Sequence, residues 1–307
     1  MNTFEVTILG SGSALPTLKK RPTSQLVQYS NKYLLIDCGE GTQVQLRKAK
    51  VSYIKISHIF ISHLHGDHYF GLVGLISSMH LLGRVADLYL YAPAELKEII
   101  NLQLRASNTQ LRFNIVFTEL ASKETELIYE NKDLEVHTIP LKHKILTNGF
   151  LIKETPRPRK IKAEKLKFYE VPHYKIDGIK FGEDFVTPEG ETVQNEKFTF
   201  PPEKARSYAF CSDTAYREKI IPIIKGATML YHETTFLERD SALAKKTFHS
   251  TAKQAGSIAK QSEVGKLLIG HFSARYTEND NTQFIAEVKQ EFQNVEIAEE
   301  LQTFEVG

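Results

Sequence analysis

The feature that most restricts what this chain can become is the run His63-Leu64-His65-Gly66-Asp67-His68, in which four of six residues carry nitrogen or oxygen donors. It follows a β-branched apolar stretch, Ile56 to Ile61, of buried-strand length. It precedes a segment of helical spacing that opens at Asp67 and puts Phe70, Val73, Ile76 and Met79 on one stripe. Four polar donors at a strand-to-helix junction are costly to bury and add nothing to packing. Imidazole and carboxylate together suit zinc or a similar borderline divalent ion. Alternation in the loop puts His63 and His65 on one side, while Asp67 and His68 start the helix and can face a second ion. A surface histidine cluster or a lone structural zinc is the alternative reading of the same residues.

The rest of the chain supplies a scaffold with many sheet ends. Strands are predicted at Phe4–Leu9, Gln25–Tyr29, Tyr33–Ile36, Leu88–Tyr91, Phe113–Phe117, Glu126–Tyr129, Leu134–Ile139, Ser207–Cys211, Met229–Tyr231 and Lys266–Ile269. Helices are predicted over 41–50, 93–104, 217–224, 251–261 and 281–292, with Ser250 as the cap of the fourth. Strand-rich halves each followed by helices fit an α/β (α+β) layered αββα sandwich, read as a single domain over residues 1–307. With 41% hydrophobic residues, the 307-residue chain has ample material for such a core.

Bulk charge excludes little. The formal net charge is only +2, so a nucleic-acid partner would need a local basic patch. Residues 153–180 provide one, with nine Lys and Arg against four Asp and Glu, broken by Pro156, Pro158 and Pro172. This reads as a protruding arm inserted in the domain. The N-terminal segment lacks a secretory pattern, and no apolar run is long enough for a membrane span. Two cysteines, Cys38 and Cys211, cannot form a disulfide framework, so a cytoplasmic location is expected. They lie beside Asp37 and near Asp213, where small buried thiols are a commoner occurrence than ligands.

His63 to His68 resembles the HxHxDH signature of the metallo-β-lactamase superfamily. His143 in Pro140-Leu141-Lys142-His143, Asp213 in Cys211-Ser212-Asp213-Thr214 and His271 in Ile269-Gly270-His271-Phe272 resemble its later ligand motifs, and Asp37 resembles its early strand-end aspartate. Further pieces resemble the ribonuclease Z family. These are Gly10-Ser11-Gly12-Ser13-Ala14-Leu15-Pro16-Thr17 with Arg21 and Ser24, and Asp37-Cys38-Gly39-Glu40-Gly41-Thr42-Gln43. Three more are His232-Glu233-Thr234-Thr235 (a HEAT loop with Thr for Ala), Phe248-His249-Ser250-Thr251, and Pro202-Glu203-Lys204-Ala205-Arg206-Ser207 (a PxKxRN loop with Ser for Asn). The arm departs from the family in lacking a Gly-Pro turn; Val171-Pro172-His173-Tyr174 stands there instead.

The resemblance implies a metallo-β-lactamase sandwich with two zinc ions per subunit, manganese being an alternative metal. His63, His65 and His143 would hold one ion, Asp67, His68 and His271 the other, and Asp213 would bridge them. Asp37 would fix a ligand imidazole through its second nitrogen. Asp67 would also orient or deprotonate the attacking water, and His249, backed by Glu233, would protonate the leaving oxygen. Lys204 and Arg206 near the cut, and Arg157, Arg159, Lys160 and Lys162 on the arm, would touch RNA phosphates without reading sequence. Phe168, Tyr169 and Tyr174 would pack the arm or stack on bases. The implied reaction removes the 3′ trailer of precursor tRNA, leaving a 3′-hydroxyl, in a homodimer. A small-molecule phosphodiesterase or arylsulfatase-like hydrolase of the same fold, and a metal-stabilised RNA-binding protein, are the rival readings.

Overall fold

A computed structural model of the protein describes residues 2–307. The first half of the chain forms β1 (Phe4–Gly10), β2 (Ser24–Tyr29), β3 (Lys32–Ile36), α1 (Thr42–Lys48), β4 (Ile56–Phe60), α2 (Gly66–Tyr69), α3 (Leu72–Leu81), β5 (Leu88–Ala92), α4 (Glu95–Ala106) and β6 (Ile115–Glu119). Then follow β7 (Leu127–Glu130), β8 (Leu134–Pro140), β9 (Asn148–Glu154), α5 (Ala163–Phe168), α6 (Ile176–Lys180), β10 (Phe185–Val186), β11 (Thr192–Val193) and α7 (Asn195–Phe198). The last third holds β12 (Ser207–Cys211), α8 (Ile221–Ile224), β13 (Met229–Glu233), α9 (Ser241–Thr247), α10 (Ala252–Gln261), β14 (Lys266–Gly270), α11 (Asn281–Lys289), β15 (Val295–Ile297) and β16 (Thr303–Glu305).

The strands make two seven-stranded sheets, in the orders β16-β1-β2-β3-β4-β5-β6 and β15-β14-β13-β12-β9-β8-β7, with β10 and β11 as a separate ribbon. Side-chain alternation then builds four layers. Phe4, Val6, Ile8, Phe60, Phe150, Tyr208, Phe210 and Tyr231 face one another between the sheets. The opposite faces carry Leu9, Ile59, Ile61 and Leu90 against α1, α3 and α4, and Ala209, Cys211, Leu230 and Ile269 against α8, α10 and α11. Strands β12, β13 and β14 are parallel and almost wholly buried, as strands covered on both faces must be. This is the αββα sandwich expected from the sequence.

Several local expectations shift. The helix after the histidine run breaks at Gly71, whose N–H donates to the carbonyl of Cys38 (2.9 Å). The buried stripe of α3 is therefore Leu72, Leu75, Ile76 and Met79, and Phe70 is exposed. The cap of α10 is Thr251 rather than Ser250: its hydroxyl accepts from Gln254 N–H, and Gln254 returns a bond to the Thr251 N–H. Ser250 instead donates to the carbonyl of Thr214 (2.6 Å).

The basic arm also has different bounds. Lys153 and Glu154 are the end of β9, a strand the sequence reading did not assign, and β9 pairs directly with β12 in antiparallel register, Lys153 opposite Ser207. The chain between them, 155–206, leaves the sandwich as one excursion. It packs on itself, with Ile179, Phe185, Val193 and Phe198 buried against Ile161, Leu166, Tyr169 and Val171. Buried Asn195 ties it together, donating from Nδ2 to the carbonyls of Ile179 (2.7 Å) and Glu183 (2.8 Å). Because β9 and β12 are hairpin neighbours, replacing 155–205 by Asn-Gly closes a tight turn. We expect the shortened protein to keep one cooperative thermal transition by circular dichroism and the metal content of the intact chain. Loss of cooperative unfolding would mean the sandwich needs the arm.

Candidate active site

The donors converge because they sit just past strand C-termini at one edge of the sandwich. Asp37 follows β3, the histidine run follows β4, Asp213 follows β12, Glu233 ends β13 and His271 follows β14. Parallel strands aligned in register bring such ends to a common edge, where open α/β sheets place ligands. His143 comes from the β8–β9 connection and His249 from the α9–α10 connection. Asp37, Asp213 and His271 have φ of 55°, 40° and 61°, and Phe248, next to His249, has φ of 61°. Left-handed backbone is uncommon outside glycine, and four such residues at one edge mark chain held by its surroundings into an aimed conformation.

Two donor clusters result, and one carboxylate touches both. In the first, His65 Nδ1 lies 3.1 Å from His63 Nε2 and 3.2 Å from His143 Nε2, and Asp213 Oδ2 lies 3.6 Å and 3.7 Å from those two Nε2 atoms. In the second, Asp213 Oδ1 lies 3.2 Å from His68 Nε2 and 3.0 Å from His271 Nε2. Asp67 Oδ2 lies 3.4 Å and 3.7 Å from the same two nitrogens. His63, His65, His143 and Asp213 thus form one group able to surround an ion, and Asp67, His68 and His271 another; Asp213, His249 and His271 make a third that overlaps the second.

The outer nitrogens are already committed. His68 Nδ1 lies 2.7 Å from Asp37 Oδ2, and Asp37 is itself held by the Ser62 N–H (2.7 Å) and hydroxyl (2.9 Å). His143 Nδ1 donates to the Phe248 carbonyl (3.1 Å). Those bonds put N–H on Nδ1 and leave Nε2 as a lone pair. His68 Nε2 and His271 Nε2 are buried with no hydrogen-bond partner of acceptable geometry, although carboxylate oxygens crowd them. Lone pairs facing carboxylates repel unless a cation lies between them, so the donor set fits a divalent metal.

Ionisation tells the same story. Burial pushes His63, His65 and His143 down, toward the neutral form that ligates. At His68 and His271 burial opposes charge, but Asp213 and Asp67 outweigh it, lifting His271 to about 10.

Beside the clusters stands a His–Glu pair. His249 Nδ1 lies 2.9 Å from Glu233 Oε1, and the rings of His143 and His271 flank His249 at 5.1 and 5.6 Å. Buried Glu233 also accepts from the N–H groups of Thr214 and Thr235 (both 3.0 Å) and from the Thr235 hydroxyl (2.6 Å). Burial disfavours a charge on His249, yet Glu233 raises it above the ordinary imidazole value. Two participants escaped the sequence reading. Thr235 joins Glu233, His249 and His271, and the Ala14 N–H donates to Asp67 Oδ2 (2.8 Å). Thr235 lay inside the HEAT-like motif, but nothing in the sequence singled out a backbone amide at Ala14.

The expected RNA-contacting cations lie elsewhere. Arg206 directly precedes β12, at the end of the strand opposite Asp213, about 23 Å of extended chain away. Its guanidinium is bound to Glu154 (2.8 and 3.1 Å) and to the carbonyl of Asn2 (2.7 Å). That position removes Arg206 and neighbouring Lys204 from their own chain's metal edge. Arg157 contacts Glu154 (3.3 Å), Arg159 contacts Thr199 (3.4 Å), Lys160 pairs with Glu203 (2.6 Å), and Lys162 donates to the Glu196 carbonyl (2.8 Å). Tyr169 packs inside the arm, whereas Phe168, Tyr174, Lys165, Lys167 and Lys175 are exposed. Cys38 and Cys211 are free, buried in the apolar layers and outside both donor groups.

Comparison with known proteins follows this geometry. A family model described as anti-Pycsar protein Apyc1 matches residues 4–156. Ribonuclease Z of Bacteroides fragilis is 46% identical over 300 residues, covering 98% of each chain. Ribonuclease Z of Phocaeicola vulgatus is 47% identical over 300 residues, covering 98% of this chain and 96% of its own. Among solved structures, the short form of human tRNase Z superposes with a TM-score of 0.72 at 24% identity, covering 99% of both chains. The metallo-β-lactamase fold protein YhfI of Bacillus subtilis superposes at 0.69 and 18% identity, covering 99% of this chain and 100% of its own. The sandwich is therefore the metallo-β-lactamase fold.

Asp37 holds His68 without belonging to either donor group, so Asp37→Asn isolates orientation from ligation. We expect divalent-metal affinity, measured by chelator competition, to fall about 10–100-fold with the fold retained. An unchanged affinity would show that the Asp37–His68 bond does not matter to metal binding.

Proposed function

This chain belongs to the ribonuclease Z family, and we propose that it works with two zinc ions, one per histidine cluster, removing the 3′ trailer and leaving a 3′-hydroxyl on the tRNA. The activity itself is metal-dependent endonucleolytic processing of precursor tRNA at the 3′ end. The observation that carries the two-ion reading is Asp213, whose two carboxylate oxygens each face a different histidine cluster.

His63, His65 and His143 would hold one ion, Asp67, His68 and His271 the other, with Asp213 shared. Such a pair, when bound, supplies a water of lowered pKa and positive charge opposite the phosphoryl oxygens. The protein's own groups do the rest. Asp67, fixed by the Ala14 N–H, orients the attacking water. His249 is the proton donor to the leaving 3′ oxygen. Glu233 holds the proton on Nδ1 and favours the charged ring, so Nε2 is the atom that delivers.

The arm serves as the grip on tRNA. Its exposed Lys165, Lys167 and Lys175, with Phe168 and Tyr174 among them, suit phosphate contact and stacking better than the cations paired at its base. A homodimer fits the polarity of the molecule, because the arm leaves the sandwich at the end of β12 remote from its own metal edge. Exposed Val44 on α1 and Phe70, Leu81, Leu82 and Val85 around α3 offer an apolar face for a second copy. No helix among the described residues is long and apolar enough to cross a membrane. The tRNA substrate and the two buried cysteines, which form no disulfide with each other, support a cytoplasmic location.

Two experiments test this reading. His249→Ala should lower kcat for precursor-tRNA cleavage about 10²–10⁴-fold while metal content by mass spectrometry stays at two per chain. Metal loss in that variant would mean that His249 is a ligand rather than the acid. Reversing charge at Lys165, Lys167 and Lys175 together should weaken precursor binding and reduce the slope of log K against log salt by about 2–3. An unaltered slope in filter binding would remove the arm's electrostatic role.

A further inference from the structure

Asp67 takes its orientation from a loop that is held from outside the site. The loop 11–21 brings the Ala14 N–H to Asp67 Oδ2 (2.8 Å). That oxygen is also the one that faces His68 Nε2 (3.4 Å) and His271 Nε2 (3.7 Å). An amide on one lone pair of Oδ2 leaves the other for an ion, so the Ala14 bond sets how Asp67 presents itself. Ala14 is exposed and has a φ of 58°. Left-handed backbone costs energy in a residue with a Cβ and persists only where the surroundings impose it.

The ends of that loop are held by the last crossover of the chain. β15 lies at the edge of the second sheet and β16 at the edge of the first, so the turn 298–302 passes from one sheet to the other. Ala298 N–H donates to the Ile269 carbonyl (2.8 Å), two residues before His271, and Leu301 N–H donates to the Ile8 carbonyl (2.7 Å) near the end of β1. Between these anchors Glu300 turns its carboxylate onto the stems of the loop. Oε1 accepts from the Arg21 N–H, where the loop ends, and the Ser11 N–H, where it begins, faces the same carboxylate. Oε2 accepts from Nε2 of buried Gln45 on α1 (2.9 Å), which also reaches the Leu9 carbonyl (2.9 Å). The stems themselves leave no slack. A Cβ on Gly10 would lie 1.8 Å from the Pro22 carbonyl oxygen, and Gly12 N–H donates to the Arg21 carbonyl (2.9 Å). Bonds from N–H groups to an ionised carboxylate are stronger than neutral ones, so a glutamate clasps this mouth better than an amide or hydroxyl would.

We propose that Glu300 is a positioning residue for the second donor cluster: by clasping both ends of the 11–21 loop it keeps the Ala14 N–H against Asp67 Oδ2. The inference rests on the two-ion reading above and adds to it a residue that belongs to none of the donor groups. Glu300 acts through one backbone amide. Its loss should therefore loosen Asp67 and leave His63, His65 and His143, which take no bond from the loop, as they are.

The test compares wild type with Glu300→Ala and Glu300→Gln, each as the full chain loaded with zinc. Hydrogen exchange of the Ala14 amide, followed by NMR, should speed up about 10-fold in Glu300→Ala. The increase should be smaller in Glu300→Gln, which keeps one acceptor oxygen. In chelator competition one of the two zinc affinities should fall about 10-fold while the other holds. For precursor-tRNA cleavage kcat should fall and KM should stay. A merely structural residue would weaken both ions alike, and that result would overturn the assignment. So would unchanged exchange at Ala14, or a loss confined to KM. If Glu300→Ala gives no cooperative thermal transition, Glu300→Gln decides by the same three readouts. Wild type that takes up a single zinc would bring down the two-ion reading instead, and Ala14 exchange together with kcat would then decide whether Glu300 positions Asp67.

Discussion

The carboxylate of Asp213 is where the two halves of this molecule meet. It stands at the end of a strand in the second sheet, yet its oxygens face histidines from the first sheet's β4–α2 loop on both sides. For that to happen, two seven-stranded sheets must stack with their C-terminal edges flush. The aromatic layer of Phe60, Phe150, Phe210 and Tyr231 between them sets that alignment. Deleting one such ring typically costs about 3–5 kcal/mol, so the core that fixes the sheets is also what fixes the donors. The left-handed turns at Asp37, Asp213 and His271 are the local cost of bending side chains inward just as each strand leaves the sheet.

The same strand that ends at the metal edge begins at the arm. β12 runs from Ser207, beside the Arg206–Glu154 pair, to Cys211, two residues before Asp213. Arg206 has a structural task at that far end, holding Glu154 and the carbonyl of Asn2, with Arg157 and Tyr29 adding to the same carboxylate. Glu154 is held below the usual carboxylate range: burial opposes its charge, and Arg206 outweighs burial. A pair this enclosed anchors the root of the excursion and leaves the exposed lysines of α5 and the following turn for a partner. An arm rooted opposite the donor clusters is the arrangement the proposed homodimer would use.

The sequence revealed the layers and the donors for a simple reason. Short β-branched apolar runs and clustered histidines are local signals, and β4 with its following HLHGDH run contains both. The later donors, His143, Asp213 and His271, are single residues past strand ends; only family resemblance gave them meaning before the coordinates did. What stayed hidden was non-local. β9 was missed because Lys153 and Glu154 read as the start of a basic tract, although pairing with β8 and β12 makes them strand. Arg206 was singled out by its PxKxRN-like motif, and sequence shows its charge but not the buried Glu154 that pairs with it. The bond from Ala14 N–H to Asp67 carries no side-chain signature at all.

Thr235 ties the second donor cluster to the His249–Glu233 pair. Its hydroxyl proton goes to Glu233 Oε2 at 2.6 Å, so toward His271 Nδ1 at 3.0 Å it can only accept. That obliges His271 to carry its proton on Nδ1 and to present Nε2 as a bare donor toward Asp213 and Asp67. Glu233 receives the Thr235 hydroxyl and N–H on Oε2, and its Oε1 is shared between the Thr214 N–H and His249. One hydroxyl therefore sets the tautomer of His271 and steadies the carboxylate behind His249, the proposed acid. His249 is thereby positioned by the same bonds that shape the second donor cluster.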